Sequence, residues 1–253
     1  SPLIHSLAYE HLGLAAQYDA IEVKAGALAN FLSKTDKNCL SLTMPLKEEA
    51  LDLADDVDLL ARRVGGANTL VREGERWRAF NTDVLGFAHI FRKQSRLGNV
   101  SILGGGSTAR AALAALEPFD VQVSVYLRSS HRIASIKSAF GENSDRLVIK
   151  DWKERADSLV DPLLISTTPD GASDDLAEVC EDASSGARTE IFVDALYGNW
   201  PTPLARALSR RGCEVLSGKT LLVYQAVEQI RLMTHLDFDR QEMESLLFEA
   251  VEK

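Results

Sequence analysis

Apolar residues recur along the chain with two different spacings, and the switches between them mark its elements. In "AYEHLGL", "AGALANFLSK" and "VLGFAHIFRK" they fall three or four apart, which predicts helices. "YDAIEV" and "CLSLTMP" are short β-prone runs and predict extended segments. "KEEALDLADDVDLLARRVG" predicts a long helical stretch broken near Asp56. "ANTLVREGERWRAF" predicts two strands joined by a turn at Glu73-Gly74, which makes them antiparallel. A second series begins at Asn99. "NVSILG", "VQVSVYL", "RLVIKDW", "PLLIST", "EIFVDALY" and "CEVLSG" predict six strands, with "TARAALAAL", "HRIASIKSAF" and "PLARALSRR" among the helices between them. Strand–helix alternation of this kind predicts a parallel sheet covered on both faces, an α/β fold. "KTLLVYQAVEQIRLMTHL" and "QEMESLLFEAV" close the chain as helices, and Gln94–Arg96 is its only linker-like patch.

Composition narrows the function classes. The net charge of −9 leaves no basic stripe to release counterions, so nucleic acid and anionic membrane are not expected partners. No apolar run approaches the roughly 20 residues of a membrane span. No secretory signal is recognised in the sequence, and because Ser1 is not an initiator methionine, the true N-terminus is expected to lie ahead of it. Cys39, Cys180 and Cys213 are scattered, with no metal-ligand neighbour at C-x-x-C or C-x-x-H spacing. Neither a disulfide framework nor a metal site is expected, and a reducing cytoplasm is the natural setting.

The strand "SILG" runs into "GGSTARAALAAL", where Gly104, Gly106 and Ala109 fit G-x-G-x-x-A. The first glycine permits a tight turn, the second lets backbone approach a pyrophosphate, and the small third residue lets helix pack on strand. The motif alone also fits a merely tight turn. Its setting, between a strand and an alanine-rich helix with a further strand on schedule, favours a dinucleotide. An NAD site usually ends its second strand with an acid for the ribose 2′-OH. Here that strand ends "YLRSSHR". Arg128 and Arg132 can grip a 2′-phosphate instead, with Ser129 and Ser130 as neutral donors, although arginines are most often solvated surface residues. The expected cofactor is NADP.

Lys47 poses a different question. It lies in the first turn of a predicted helix, where the dipole suits Glu48 and Glu49 but not a cation. By itself it reads as an exposed lysine, just as Asp83, ahead of "VLGF", reads as a helix N-cap. The hairpin, however, sets "GGANTLV" with Asn68 beside "AFNTDVLGF" with Asp83.

"LTMPLK", "GANTLV", "FNTDVLGF", "LGGGSTARAAL", "DALYGNWPTPL" and "GKTLLVYQAVEQ" resemble, in order, the signature elements of the shikimate dehydrogenase family, from about Ser1 to Thr234. The resemblance implies reversible reduction of 3-dehydroshikimate to shikimate with NADPH, in chorismate and aromatic amino acid biosynthesis. It implies an NADP-binding Rossmann-type domain, residues 85–221, and a smaller α/β substrate-binding domain, residues 1–84 and 222–253, with a cleft between. It places Lys47 and Asp83 as the acid–base pair. Ser6, Thr43, Asn68, Tyr197 and Gln225 fall at substrate-binding positions. Gly104, Gly105, Gly106, Ser107, Thr108, Arg128, Ser129 and Arg132 match the cofactor loop and 2′-phosphate cluster, and Leu196 and Gly218 approach the nicotinamide. The chain would act on small molecules as a monomer or homodimer.

A lysine ammonium within reach of a carbinol can stabilise the developing alkoxide and donate to it. The alternative division has Lys47 polarising the substrate and Asp83 moving the proton. The family's H-S-x-S-P, His-Asn, aromatic and "GL" pattern is not matched cleanly by "PLIHSLAYEHLGL", where Ala8 follows His5 and Ser6 in place of a second serine. Either a hydroxyl is lost, or about seven residues are absent between Leu7 and Ala8, a gap favoured because loops beside an empty site are often disordered. Ser41 and Leu46 stand where asparagine and histidine are frequent. The competing functions are a quinate/shikimate dehydrogenase preferring NAD, and a dinucleotide-binding regulator without turnover.

Overall fold

The computed structural model describes residues 1–95, 97–142, 144–182, 184 and 186–252; Arg96, the end of the linker-like patch, lies outside them. The chain divides into two compact units, Ser1–His89 with Leu222–Lys253, and Ile90–Leu221. The first boundary falls inside a helix, five positions after the 84/85 junction read from the sequence.

The first unit starts with α1 (Pro2–His11), α2 (Leu28–Leu32) and β1 (Cys39–Ser41), followed by α3 (Leu46–Leu53), β2 (Asp56–Val57) and α4 (Leu59–Val64). The hairpin β3 (Thr69–Glu73) and β4 (Arg76–Phe80) leads into α5 (Thr82–Arg92). Its sheet has the order β1-β3-β4-β2, antiparallel except for the β2–β4 pair. Leu28, Leu46, Ala50, Ala61, Leu70, Trp77 and Ala79 form the core beneath it. The break in the 47–65 stretch has a clear cause. Asp55 leaves the helical path to exchange bonds with Trp77, its N–H donating to the Trp77 carbonyl (2.9 Å) and its Oδ2 accepting from the Trp77 N–H (2.7 Å). Asp58 then caps α4 by accepting from Leu60 N–H, and Gly65, at φ 66°, ends it.

The extended segment expected at "YDAIEV" forms no strand; residues 14–24 are irregular and Ile21 is 52% exposed. A strand needs a neighbour to take up its backbone groups, and among the described residues β1 pairs only with β3.

In the second unit, β5 (Val100–Leu103), α6 (Ser107–Leu116), β6 (Val123–Leu127), α7 (Ile133–Phe140), β7 (Leu147–Asp151), β8 (Leu163–Ser166), α8 (Leu176–Glu181), β9 (Ile191–Asp194), α9 (Pro203–Arg210) and β10 (Glu214–Leu216) alternate. A 3-10 helix, Trp152–Val160, links β7 to β8. All neighbouring strands are parallel and run β10-β9-β8-β5-β6-β7. Counted from β5 this is the 3-2-1-4-5-6 order of a doubly wound sheet, whose chain reversal lies beside β5 and β8. Every residue of those two central strands is buried, as helices on both faces require. The chain returns to the first unit along α10 (Gly218–Thr234) and ends with α11 (Arg240–Glu252), which packs against α1. Among the described residues no helix is long and apolar enough to cross a membrane, and no group of His, Cys, Asp or Glu is placed to hold a metal ion.

Candidate active site

The hairpin register builds the polar cluster of the first unit. Thr69 pairs with Phe80, so Asn68 at the mouth of one strand faces residues 81 to 83 at the end of the other. Asn68 Nδ2 donates to Asp83 Oδ1 and Thr82 Oγ1, both at 2.9 Å, and stands 3.2 Å from Gln225 Oε1. Its Oδ1 accepts from the Thr82 N–H at 2.8 Å and from Thr69 Oγ1 at 2.9 Å. Lys47 Nζ donates to the other carboxylate oxygen, Asp83 Oδ2, at 2.6 Å, with 11% of the lysine side chain and 9% of the aspartate side chain exposed. A backbone bond from Ala67 N–H to the Lys47 carbonyl, 2.7 Å, fixes α3 on the hairpin. The unfavourable lysine at a helix start is thus offset by a carboxylate that itself sits favourably in the first turn of α5. So shielded from water, each partner depends on the other to avoid an unpaired buried charge, and removing one costs more than breaking an exposed pair.

Asp83 is not the cap of α5. Asn81 fills that place: its Oδ1 accepts from Val84 N–H (3.4 Å) while its Nδ2 donates to the Gly66 carbonyl (2.7 Å). Asp83 is left available for Lys47 and Asn68. Gln225, 7% exposed on α10, accepts from Thr82 Oγ1 at 3.2 Å as well as from Asn68.

Two residues to which the sequence assigned no role tie this cluster together. Thr82 is bonded on three sides, as given above. Gln229 is 2% exposed, and its Nε2 donates to the Asn68 carbonyl (3.1 Å) and to Thr69 Oγ1 (2.9 Å), while its Oε1 accepts from Ser41 Oγ (3.1 Å). The available signal was the four-residue spacing of Gln225 and Gln229 on the predicted helix, which puts both amides on one face. His5 lies 3.3 Å from the same Oε1, stacked on Tyr18 at 4.2 Å between centroids. Burial pushes its imidazole down to about 4, with Gln229 pulling weakly the other way.

The expected gap between Leu7 and Ala8 is not there, because α1 runs unbroken across both residues and closes through Leu12 N–H on the Ala8 carbonyl. In a continuous chain, Ser1-Pro2, His5, Tyr9 and Gly13-Leu14 meet the S-P, His, aromatic, G-L order without an insertion. Ser6 and Thr43 are exposed, and among the described residues neither side chain bonds to the Lys47–Asp83 cluster. Tyr197 belongs to the second unit and is 61% exposed.

The second unit builds its site from backbone. Gly104 turns off β5 at φ 107°, and a Cβ there would lie 2.6 Å from Thr167 Oγ1. A Cβ on Gly105 would fall 2.6 Å from Leu127 Cδ2 and 3.2 Å from Arg132 Cδ. Gly106 differs: a Cβ there meets nothing within 4 Å. Directly after it, the Ser107 hydroxyl is buried without a hydrogen-bond partner, and the start of α6 has no side-chain cap. An oxyanion here would find that hydroxyl, the amides of the first helical turn and the positive end of the dipole. The residues present therefore fit a dinucleotide's diphosphate. Thr108 follows half-buried on the same turn. Arg128 and Ser129 are exposed beyond β6, and half-buried Arg132 donates from Nη1 to the Gly105 carbonyl at 3.4 Å. Ser129 Oγ stands 2.6 Å from His131 Nδ1. Leu196 and Gly218 meet: Gly218 N–H donates to the Leu196 carbonyl (2.9 Å), and a Cβ on Gly218 would fall 2.4 Å from the Ala195 carbonyl oxygen. Asp194, also unforeseen, holds this turn by accepting from Leu196 N–H and Thr202 Oγ1 at 3.1 and 3.2 Å. Burial pushes its carboxyl up to about 6 against those two bonds.

A doubly wound parallel sheet with an uncapped glycine turn, on a chain whose other unit carries a buried lysine–carboxylate–amide cluster, defines a two-unit α/β protein of the dinucleotide-binding class. Comparison with known proteins narrows this further. Residues 1–70 match the shikimate dehydrogenase substrate binding domain. The shikimate dehydrogenase (NADP(+)) of Thermus thermophilus is 31% identical over 248 residues, covering 96% of this chain and 91% of that one. The crystal structure of Mycobacterium tuberculosis shikimate dehydrogenase aligns with a TM-score of 0.83 at 32% identity, over 98% of this chain and 93% of that one. The crystal structure of a Thermus thermophilus shikimate 5-dehydrogenase, in complex with NADP(H) and shikimate, aligns at 0.82 and 29% identity, over 98% and 94%. The chain belongs to the shikimate dehydrogenase family.

Proposed function

We propose that this protein is an NADP-dependent oxidoreductase acting on a CH–OH group, the reversible reduction of 3-dehydroshikimate to shikimate. The observation that carries the reading is the buried Lys47–Asp83 pair at 2.6 Å, with the Asn68 and Gln225 amides on it. Such a set suits a polyhydroxylated carboxylate: an ammonium for the reacting oxygen, and amides that both donate and accept for ring hydroxyls. Gly104–Thr108 would hold NADP, with Arg128, Ser129 and Arg132 for its 2′-phosphate and Leu196 and Gly218 for its nicotinamide, and the bound cofactor would supply or accept the hydride. In reduction, as hydride reaches the carbonyl carbon, the Lys47 ammonium gives a proton to the oxygen that becomes the hydroxyl, and is reprotonated from solvent. In oxidation the same proton leaves the hydroxyl as the C–H bond gives up its hydride. Asp83 holds Lys47 in position through the 2.6 Å bond from its Nζ. Thr43, Tyr197 and Ser6 are the outer candidates for substrate contact; the continuous α1 makes Ser6 the weakest of them.

On this reading the partners are small molecules, and the chain works as a monomer or homodimer in the cytoplasm, where its three free thiols would stay reduced. The test is nicotinamide absorbance with shikimate and NADP. Reduction of NADP that requires shikimate is expected. A folded protein that binds NADP and never reduces it would overturn the enzyme reading. Faster turnover with NAD and quinate would transfer it to the quinate-type alternative.

A further inference from the structure

β6 and β7 pair in parallel with Leu127 opposite Asp151, so the next residues of the two strands, Arg128 and Trp152, leave the sheet edge side by side. Asp151 fixes the turn by accepting from Lys153 N–H at 2.8 Å, and the half-buried Trp152 packs against the core around Leu103, Tyr126, Leu159 and Leu164. Two guanidinium groups lie on this indole. Arg155, 5.0 Å from the ring centroid, is already committed: it is ion-paired to Asp175, and it donates to the Trp152 carbonyl at 3.1 Å. Arg128, 6.0 Å from the centroid, is exposed and has no carboxylate partner among the described residues. A guanidinium resting one face on an aromatic ring keeps all its N–H donors in plane and free at its edge, the disposition a phosphate needs.

We propose that Trp152 is a positioning residue that sets selectivity for a 2′-phosphorylated adenosine by holding the Arg128 guanidinium at the end of β6. The inference rests on the NADP reading and adds a residue from the turn after a different strand to it. Arg155, neutralised by Asp175, keeps the other contact on the ring without competing for the anion. Cation–π contact at an exposed site corresponds to about a two- to fivefold change in affinity.

The test is calorimetric titration with two probes that differ by one group, adenosine 2′,5′-bisphosphate and adenosine 5′-monophosphate. In Trp152→Met, which keeps apolar volume over the core but has no π face, the bisphosphate should weaken about two- to fivefold and the monophosphate hardly at all. Trp152→Phe should recover most of the loss, and in an Arg128→Ala background Trp152→Met should have no further effect. Trp152→Leu serves as a second variant should the methionine protein not fold. Equal weakening of both probes, no weakening, or a loss that persists without Arg128 would overturn the role of Trp152. A wild-type protein that binds both probes equally would overturn the NADP reading itself, and the inference with it.

Discussion

The two units build their candidate sites from different materials. In the first, Lys47, Asn68, Asp83 and Gln225 are side chains that satisfy one another out of reach of bulk water. In the second, Gly104, Gly105 and Gly106 contribute shape by what they lack, and the buried Ser107 hydroxyl beside them is left without a partner. A closed network is sensitive to removing an atom, because each loss strands a buried group. An open backbone cradle is sensitive to adding one. The chemistry proposed for each unit follows the same division: proton transfer needs titratable side chains, whereas a diphosphate needs amides and room.

The largest expected effect comes from the first unit. Lys47→Ala should lower turnover by a factor on the order of 10² to 10⁴, the range for lost acid–base assistance. Near-normal turnover in that variant would mean that the network is structural.

A pH series separates the units next, because a buried shifted group in each, His5 and Asp194, acts with opposite sign. His5, in the first unit, has its imidazole lowered to about 4 from 6.5. The unfolded chain therefore binds more protons, and stability from this residue is full above about 6.5 and lost as pH falls through 4. Asp194, in the second unit, has its carboxyl raised to about 6 from 3.8. Its contribution is full below 3.8 and lost as pH rises through 6. Each amounts to at most about 3 kcal/mol. Denaturant unfolding from pH 4 to 7 should show His5→Gln flattening the acid-side loss and Asp194→Asn the neutral-side loss; profiles parallel to wild type would contradict both assignments.

Gly106→Val probes the cradle. The backbone there is extended (φ −76°, ψ −174°) and nothing lies within 4 Å of the added Cβ, so the melting temperature should not move. Dinucleotide affinity should fall by about tenfold or more, the scale of a filled contact space. Gly104→Val, at φ 107° and against Thr167, should instead destabilise the fold. Unchanged dinucleotide affinity in Gly106→Val would remove the diphosphate from this turn. Arg128→Ala should give the smallest change, about tenfold for NADP and less for NAD. Equal loss for both would refute its contact with a 2′-phosphate.

The same division explains what could be read from the sequence. The second unit was legible nearly strand by strand, because each of its strands is a short apolar run bounded by a helix and its glycine turn is a local motif. "YDAIEV" failed for lack of a partner: its composition suits a strand, but nothing local says whether a neighbour will lie beside it. In the first unit, "NTD" offers three cap-forming residues in a row, and only the fold shows Asn81 taking the cap and freeing Asp83 for Lys47. Gln229 stayed hidden because its partner Asn68 is 161 positions away, and Asp194 because its burial, unlike its local bonds to Leu196 and Thr202, comes from the packed unit around it. The glutamine pair on α10 was the one clue.

Calorimetric titration of NADP into the Lys47→Ala protein tests the division most directly. Wild-type affinity for NADP in a protein that has lost turnover is the expected result. A loss of about tenfold or more, the scale expected for damage to the cradle itself, would show that the dinucleotide site depends on the lysine and that the two sites are not separately built.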